Sequence, residues 1–323
     1  MHCPEPLVIP MTQKERSDQS TRLQIRSRAM GHVRHALSAM PLLLAGCSSA
    51  VLDPRGPIGQ NDRTILIDSM AIMLAIVIPT IIATFAFAWW FRASNKKATY
   101  LPDWEFSGRI EMIVWAIPAM TIILLGGVTW IGSHELDPAK PIESKTAALD
   151  IQVVSLDWKW LFILPEQRVA SVNQLVVPIG TPLHFTLTSS SVMNTFFVPR
   201  LGSMIYTMNG MATELYLQAD EAGTYRGISG HYSGEGFSDM HFDVRAVSAE
   251  DFAHWVNQTR EGGGTLDAAG YTELAKQSIN IPVATYSSVE RDLFAQVLSQ
   301  KLAPGPGPDV ENKGATQKPE IKP

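Results

Sequence analysis

His231, Met240 and His241 lie on the Gly- and Ser-rich stretch Gly230–Phe242. Imidazole and thioether are side chains that hold soft metals such as copper. The two histidines are ten residues apart, without the i,i+3 or i,i+4 spacing that presents two ligands from one helix face. Isolated surface or half-buried imidazoles are therefore expected at His231 and His241, and His184 is expected among the outward residues of its strand. Met193, Met204, Met208 and Met211 are expected to fill packing gaps, as flexible thioethers do. What this region lacks is a thiol. The chain has only two cysteines, Cys3 and Cys47, both far upstream.

Cys47 belongs to a different chemistry. Arg22, Arg26, Arg28 and Arg34 precede the apolar run Leu42-Leu43-Leu44-Ala45-Gly46, the layout of a secretory signal. A Cys directly after Leu-Ala-Gly resembles the bacterial lipobox, in which the thiol is acylated and becomes the mature N-terminus. Residues 1–46 are thus expected to be a cleaved signal peptide and Cys47 a lipidated residue, leaving no free thiol. The segment is long for a signal, and translation is expected to start at Met30. Removing residues 1–46 takes six Lys or Arg and three Asp or Glu from totals of 26 and 31, leaving a net charge of −8. Such a chain offers no broad basic surface, which argues against nucleic acid as a partner.

The elements that must position these residues begin with two uncharged runs, Ser69–Phe91 and Met112–Ile131. Each is long enough to cross a hydrocarbon layer of about 30 Å as a helix. Trp89, Trp90 and Trp130 sit at the span ends, and Pro79 and Pro118 fall inside, where membrane helices tolerate proline. The connection 92–110 carries Arg92, Lys96, Lys97 and Arg109, so it is expected on the cytoplasmic side. Asp68 reads as an interfacial helix start. Residues 47–148 therefore form a lipidated N-terminus and a transmembrane hairpin, with everything after Ile131 in the periplasm of a double-membrane bacterium.

From Leu149 the pattern changes to short β-prone runs divided by Gly and Pro: 150–156, 158–164, 172–177, 183–188, 213–218, 223–229 and 240–247. Seven such strands predict an external all-β Greek-key sandwich over residues 149–247. A helical extension follows over 248–302, capped by Ser248, with a second helix over Ser288–Leu302. The Pro-, Gly- and Lys-rich tail 303–323 reads as disordered.

At this point the residues resemble a family. Arg109-Ile110-Glu111-Met112-Ile113-Val114-Trp115-Ala116-Ile117-Pro118, Asp157-Trp158-Lys159-Trp160 and Val198-Pro199-Arg200-Leu201-Gly202 are similar, in order, to motifs of subunit II of the haem–copper respiratory oxidases. The resemblance implies a cupredoxin-like fold for the sandwich. In cytochrome c oxidases this domain holds a binuclear copper centre, built on Cys-Ser-Glu-x-Cys-Gly-x-x-His-x-x-Met plus an earlier His. Here Tyr232 and Gly236 stand where the two Cys belong, Met240 at the His, Asp243 at the Met and Asn194 at the earlier His. Soft thiolate sulfur is what couples paired copper ions, so no copper site is expected at these positions.

The pattern resembles the copper-less branch, the cytochrome bo-type ubiquinol oxidases, and so does Ser287–Val297. The resemblance implies that haems, copper and ubiquinol belong to subunit I, the main partner, alongside further small membrane subunits and the lipid bilayer. It also implies no docking of a soluble cytochrome c. Oxygen reduction and proton translocation are properties of the complex, and this chain is expected to carry no cofactor. Glu111, read alone, is an acid at a helix N-terminus; the resemblance implies the mouth of a proton path into subunit I. Trp158 and Trp160, expected on one face of a strand, read as packing or partner contacts. The rival readings are a copper-less lipoprotein binding or assembly module and a cytochrome c oxidase subunit.

Overall fold

The computed structural model describes residues 50–307 apart from Tyr100 and Trp104. The signal region with Met30 and Cys47, and the tail 308–323, lie outside the described residues. After a 3-10 turn at Ala50–Leu52, helices α1 (Pro57–Trp90) and α2 (Gly108–Glu135) form the hairpin. Both are long and apolar enough to cross a membrane. Three interior hydroxyls need no outside partner: Thr80, Thr84 and Thr121 each donate to the carbonyl one turn back, at 2.8 Å.

Helix α1 extends well outside the expected span. Its 34 residues measure about 50 Å, so Asp68 lies inside the helix rather than at its start. The outer turns are held by the β-domain. Gly56 precedes the helix without a side-chain cap, and the first amides find carbonyls of the loop Val198–Gly202 instead. Arg55 N donates to Arg200 O at 2.7 Å, Gly59 N to Leu201 O at 3.0 Å, and Asp220 N returns a bond to Arg55 O at 2.8 Å. Arg55 also pairs with Glu221 and Asp53, and Arg200 lies 3.5 Å from Asp53. Beyond α2, the linker is fixed by Tyr216 N donating to Pro138 O at 2.8 Å. Both outer ends of the hairpin are thus tied to the same edge of the domain.

The domain opens with β1 (Leu149–Leu156), β2 (Lys159–Leu164), β3 (Val169–Val172), β4 (Gln174–Pro178) and β5 (Pro182–Ser189). The single strand expected over 172–177 is two strands. Asn173, at φ 58°, turns the chain from one sheet into the other, in a left-handed conformation that Asn tolerates. Next come β6 (Asn194–Phe197), β7 (Ile205–Thr207), β8 (Thr213–Gln218), β9 (Gly223–Ser229) and β10 (His241–Val247). The extension adds α3 (Ala249–Gly262), β11 (Gly264–Leu266), α4 (Ala268–Leu274), β12 (Ala284–Val289) and α5 (Leu293–Leu298). Ser248 Oγ caps α3 by accepting from Asp251 N at 3.0 Å. The helix expected over Ser288–Leu302 is instead the end of β12 followed by the shorter α5. Residues Gly305 and Gly307 lie against the domain, donating to Ser190 O at 3.0 Å and Asp157 Oδ2 at 2.9 Å.

Two sheets result, a seven-stranded one in the order β11-β12-β3-β2-β1-β5-β8 and a five-stranded one in the order β4-β10-β9-β6-β7. Between them pack Trp160, Phe162, Phe185, Phe196 and Phe242, all buried. The opposite face of the large sheet is covered by Leu266, Tyr271, Leu293, Phe294 and Val297 of the extension. Strand β2 and the second half of β1 are therefore buried on both faces, which is why Trp160–Leu164 is continuously apolar.

A test of the joint follows from Gly56, where an added Cβ would stand 2.0 Å from Gln218 O. Gly56→Ala is expected to cost about 1–3 kcal/mol through overpacking. It should lower the thermal midpoint of the detergent-solubilised chain; an unchanged midpoint would show that the joint can relax freely.

Candidate functional site

Of the five positions expected at copper-ligand places, Asn194 and Met240 are buried and both bonded to Ser229, whereas the Tyr232 and Asp243 side chains turn outward. Asn194 opens β6 and is buried, its Nδ2 donating to Val192 O and its Oδ1 accepting from Ser229 Oγ, both at 3.3 Å. Ser229 N in turn donates to Met240 O at 3.2 Å, and the Met240 side chain is also buried. Ser233 Oγ approaches Met240 Sδ at 3.9 Å. Tyr232 points away from this interior. It is 72% exposed, its ring edge-on to Phe237 at 5.7 Å. Asp243 lies on β10 between the core residues Phe242 and Val244, so it faces outward, opposite Arg226.

Gly236 explains why nothing replaces the second thiol. The loop enters a 3-10 turn, Glu235–Asp239, through Gly234 at φ 108° and ψ −162°, a conformation essentially restricted to glycine. Gly236 is then buried directly beneath Trp158, and an added Cβ would meet the indole at 2.5 Å. Trp158 is not on a strand. It forms the turn between β1 and β2 at φ 65°, so strand alternation does not relate it to Trp160. Its Nε1 donates to Ser233 O at 3.0 Å, which fastens the ring over the loop. The interior offers an amide, a thioether and a backbone with no side chain. That donor set does not fit a pair of copper ions, which need bridging thiolates.

Among the described residues no group of three or more His, Cys, Asp or Glu is placed to hold a metal. His231 packs edge-on to Tyr206 at 6.1 Å. His241 faces outward on β10, with Nδ1 buried and without a partner. His184 is outward as expected, bonded to Asp150 Oδ1 at 2.7 Å and stacked on Tyr216. The expected gap-filling role of the methionines fails for Met193, Met204 and Met211, which are exposed. Glu111 sits in the first turn of α2, exposed, its N–H donating to Ser107 O at 3.0 Å.

Sequence reasoning missed the network that holds Trp158. On either side of it, Asp157 and Lys159 are buried. Asp157 accepts from Ser191 Oγ and Gly307 N. Lys159 Nζ donates to Lys276 O at 2.6 Å and Ser278 Oγ at 2.5 Å. The extension thus grips both flanks of the tryptophan. Two charged residues beside an apolar strand were the available signal, since buried charges demand partners.

Comparison with known proteins agrees with this architecture. Residues 148–247 match the family described as cytochrome c oxidase subunit II, periplasmic domain, and residues 260–305 match the COX aromatic rich motif. These matches and the hairpin define a subunit-II-type protein. The chain is 48% identical over 265 residues to cytochrome bo(3) ubiquinol oxidase subunit 2 of Pseudomonas aeruginosa, covering 82% of this chain and 80% of that one. It is 49% identical over 261 residues to ubiquinol oxidase subunit 2 of Acetobacter aceti, covering 80% and 85%. It is 35% identical over 250 residues to quinol oxidase subunit 2 of Bacillus cereus, covering 76% and 86%. The chain belongs to the subunit 2 family of the ubiquinol oxidases.

The buried lysine gives a pH prediction. Burial lowers the Lys159 pKa from 10.5 to about 8, against the opposing pull of Asp157. Between about pH 8 and 10 the unfolded chain keeps this proton while the folded chain releases it, so stability rises with pH. Burial also pushes Tyr271 up from 10.0 to about 12. Above pH 10 the unfolded tyrosine ionises first, which opposes the rise. Denaturant unfolding followed by tryptophan fluorescence should show stability climbing from pH 8 to 10, and Lys159→Met should remove the climb. A wild-type profile flat over that window would contradict the assignment.

Proposed function

We propose that this chain is the subunit of a proton-pumping respiratory ubiquinol oxidase that carries no redox cofactor of its own. Haems, copper and ubiquinol are assigned to subunit I, its main partner, with further small membrane subunits completing the complex. The observation that carries this reading is the Trp158 indole packed on Gly236, where a copper-bearing relative needs a thiolate. It is supported by the lack of any Cys between 48 and 323 and by relatives that are named ubiquinol oxidase subunits. Without a metal pair in this domain, electrons from a soluble cytochrome have no relay into the complex. A quinol dissolved in the membrane reaches subunit I without crossing this domain.

The charges of the hairpin support one placement of the domain. Arg92, Lys96 and Lys97 lie in the connection between α1 and α2, and Arg109 opens α2. This supports a cytoplasmic connection and a periplasmic β-domain at the bacterial inner membrane. Acylation of Cys47 on the periplasmic side is consistent with that placement. It adds little affinity to a chain already held by two helices, so the lipid positions the N-terminus. Mass spectrometry of the mature chain should find an acylated Cys47 at its start; an unmodified upstream terminus would refute this.

Glu111 is assigned to the mouth of a proton path into subunit I. An exposed carboxylate in the first helical turn, on the cytoplasmic side of α2, can collect protons at the membrane edge and pass them to a water-filled route. Glu111→Ala should slow turnover on the order of tenfold, about 1.4 kcal/mol in the barrier, with the haem complement intact. Unchanged oxygen consumption would remove Glu111 from the path.

The deciding experiment for the function is donor choice. The complex purified through this chain should consume oxygen with ubiquinol as donor and show no uptake with reduced cytochrome c. The opposite pattern would overturn the proposal.

A further inference from the structure

The C-terminal extension covers the large sheet only as far as the second half of β1. On the outward face of that strand Val154 and Leu156 are buried, whereas Gln152 is half-buried and Asp150 exposed. A cavity of about 450 Å³ opens at this step. Ile163, the partner of Gln152 on β2, and Phe294 of α5 give it a buried apolar floor. The turn from Pro165 to Arg168, which joins β2 to β3, closes one side. The volume falls within the roughly 300–1,000 Å³ of small-molecule sites. No residue of the hairpin lines it, which points to a ligand drawn from water rather than from the bilayer.

The charges around this floor are not equivalent. Glu290 is already committed, its Oε2 accepting from Ala268 N at 3.0 Å and its Oε1 from Gln296 Nε2 at 2.8 Å. Arg168, Arg291 and Glu166 also line the cavity, and none of them enters an ion pair among the described residues. Two uncommitted guanidiniums therefore border one apolar floor. The turn that carries Arg168 is held in place by the fold itself. Arg260, in the last turn of α3, donates to Gln167 O through Nε at 3.1 Å and Nη2 at 2.8 Å. Arg168 sits at φ 58°, a left-handed conformation strained for a side-chain-bearing residue, and β3 pairs with β2 directly after it. A turn fixed in advance lowers the ordering cost of binding.

We infer that this cavity binds a small water-soluble organic carboxylate, its charge held by Arg168 and Arg291 and its apolar body resting on Ile163 and Phe294. Guanidinium is the side chain best matched to a carboxylate, which it can hold through two parallel hydrogen bonds. The uncommitted Glu166 adds a partner for an ammonium group. An apolar amino acid and the corresponding acid without its amino group therefore share the required chemistry. The inference stands apart from the subunit reading, because every wall of the cavity belongs to the β-domain and its extension.

The test uses the full chain, purified in detergent from its native membrane with whatever subunits remain bound. Equilibrium dialysis measures the binding of radiolabelled phenylalanine and of hydrocinnamate, which is phenylalanine without its ammonium group. Wild type is compared with Arg291→Ala and with Arg168→Gly, the latter keeping the left-handed backbone accessible. The inference expects saturable binding of at least one probe, weakened roughly tenfold or more in each variant. Tighter binding of phenylalanine would assign the site to amino acids, and tighter binding of hydrocinnamate to simple acids. Arg291 is exposed and forms no ion pair among the described residues. Its variant therefore decides the outcome alone if Arg168→Gly unfolds. No saturable binding of either probe up to about 10 mM would overturn the inference. Binding unchanged in Arg291→Ala, or displaced equally well by sulfate, would also overturn it.

Discussion

The contact between the Trp158 indole and Gly236 sets the character of the domain. An aromatic ring occupies the space that any side chain at 236 would need, and it is anchored by Ser233 O in the same loop. Asp157 and Lys159 hold its two flanks: Lys159 is bonded to Lys276 and Ser278 of the extension, and Asp157 to Ser191 of the sandwich and Gly307 after the extension. A positive-φ tryptophan costs on the order of 1–3 kcal/mol, and the surrounding bonds over-determine it. The loop therefore cannot admit a ligand at 236 without displacing the tryptophan.

A second constraint runs through Val198–Gly202. In sequence this segment resembles a motif of subunit II; in the structure its carbonyls receive Gly59 N in the first turn of α1 and Arg55 N just before it. The helix has no side-chain cap, so its outer turns depend on the domain, and the domain's orientation depends on the helix. None of the five positions expected at copper-ligand places takes part in this joint. The sandwich is kept as a brace that ties down the outer ends of the hairpin.

Much of this was legible in the sequence, and the omissions have physical causes. Two uncharged runs gave the hairpin because hydrophobic length is a local property. The outer turns of α1 were not visible, since Gln60, Asn61, Asp62 and Arg63 are polar and lie outside the uncharged run, next to the bonds to Leu201 and Arg200. Asn173 and Trp158 broke expected strands through left-handed backbone, which side-chain alternation does not encode. Strand β12 looked like a helix because its partners, β3 and β11, are distant in the chain. Replacement of the metal-ligand types could be read directly. The tryptophan that fills the space could not, because it depends on a contact between residues 158 and 236.

The most direct test of the central claim is elemental analysis of this chain after separation from the other subunits of its complex. The account predicts no copper retained by the chain when copper is supplied under reducing and oxidising conditions alike. Two copper ions per chain, with the optical and magnetic signature of a thiolate-bridged mixed-valence pair, would contradict it.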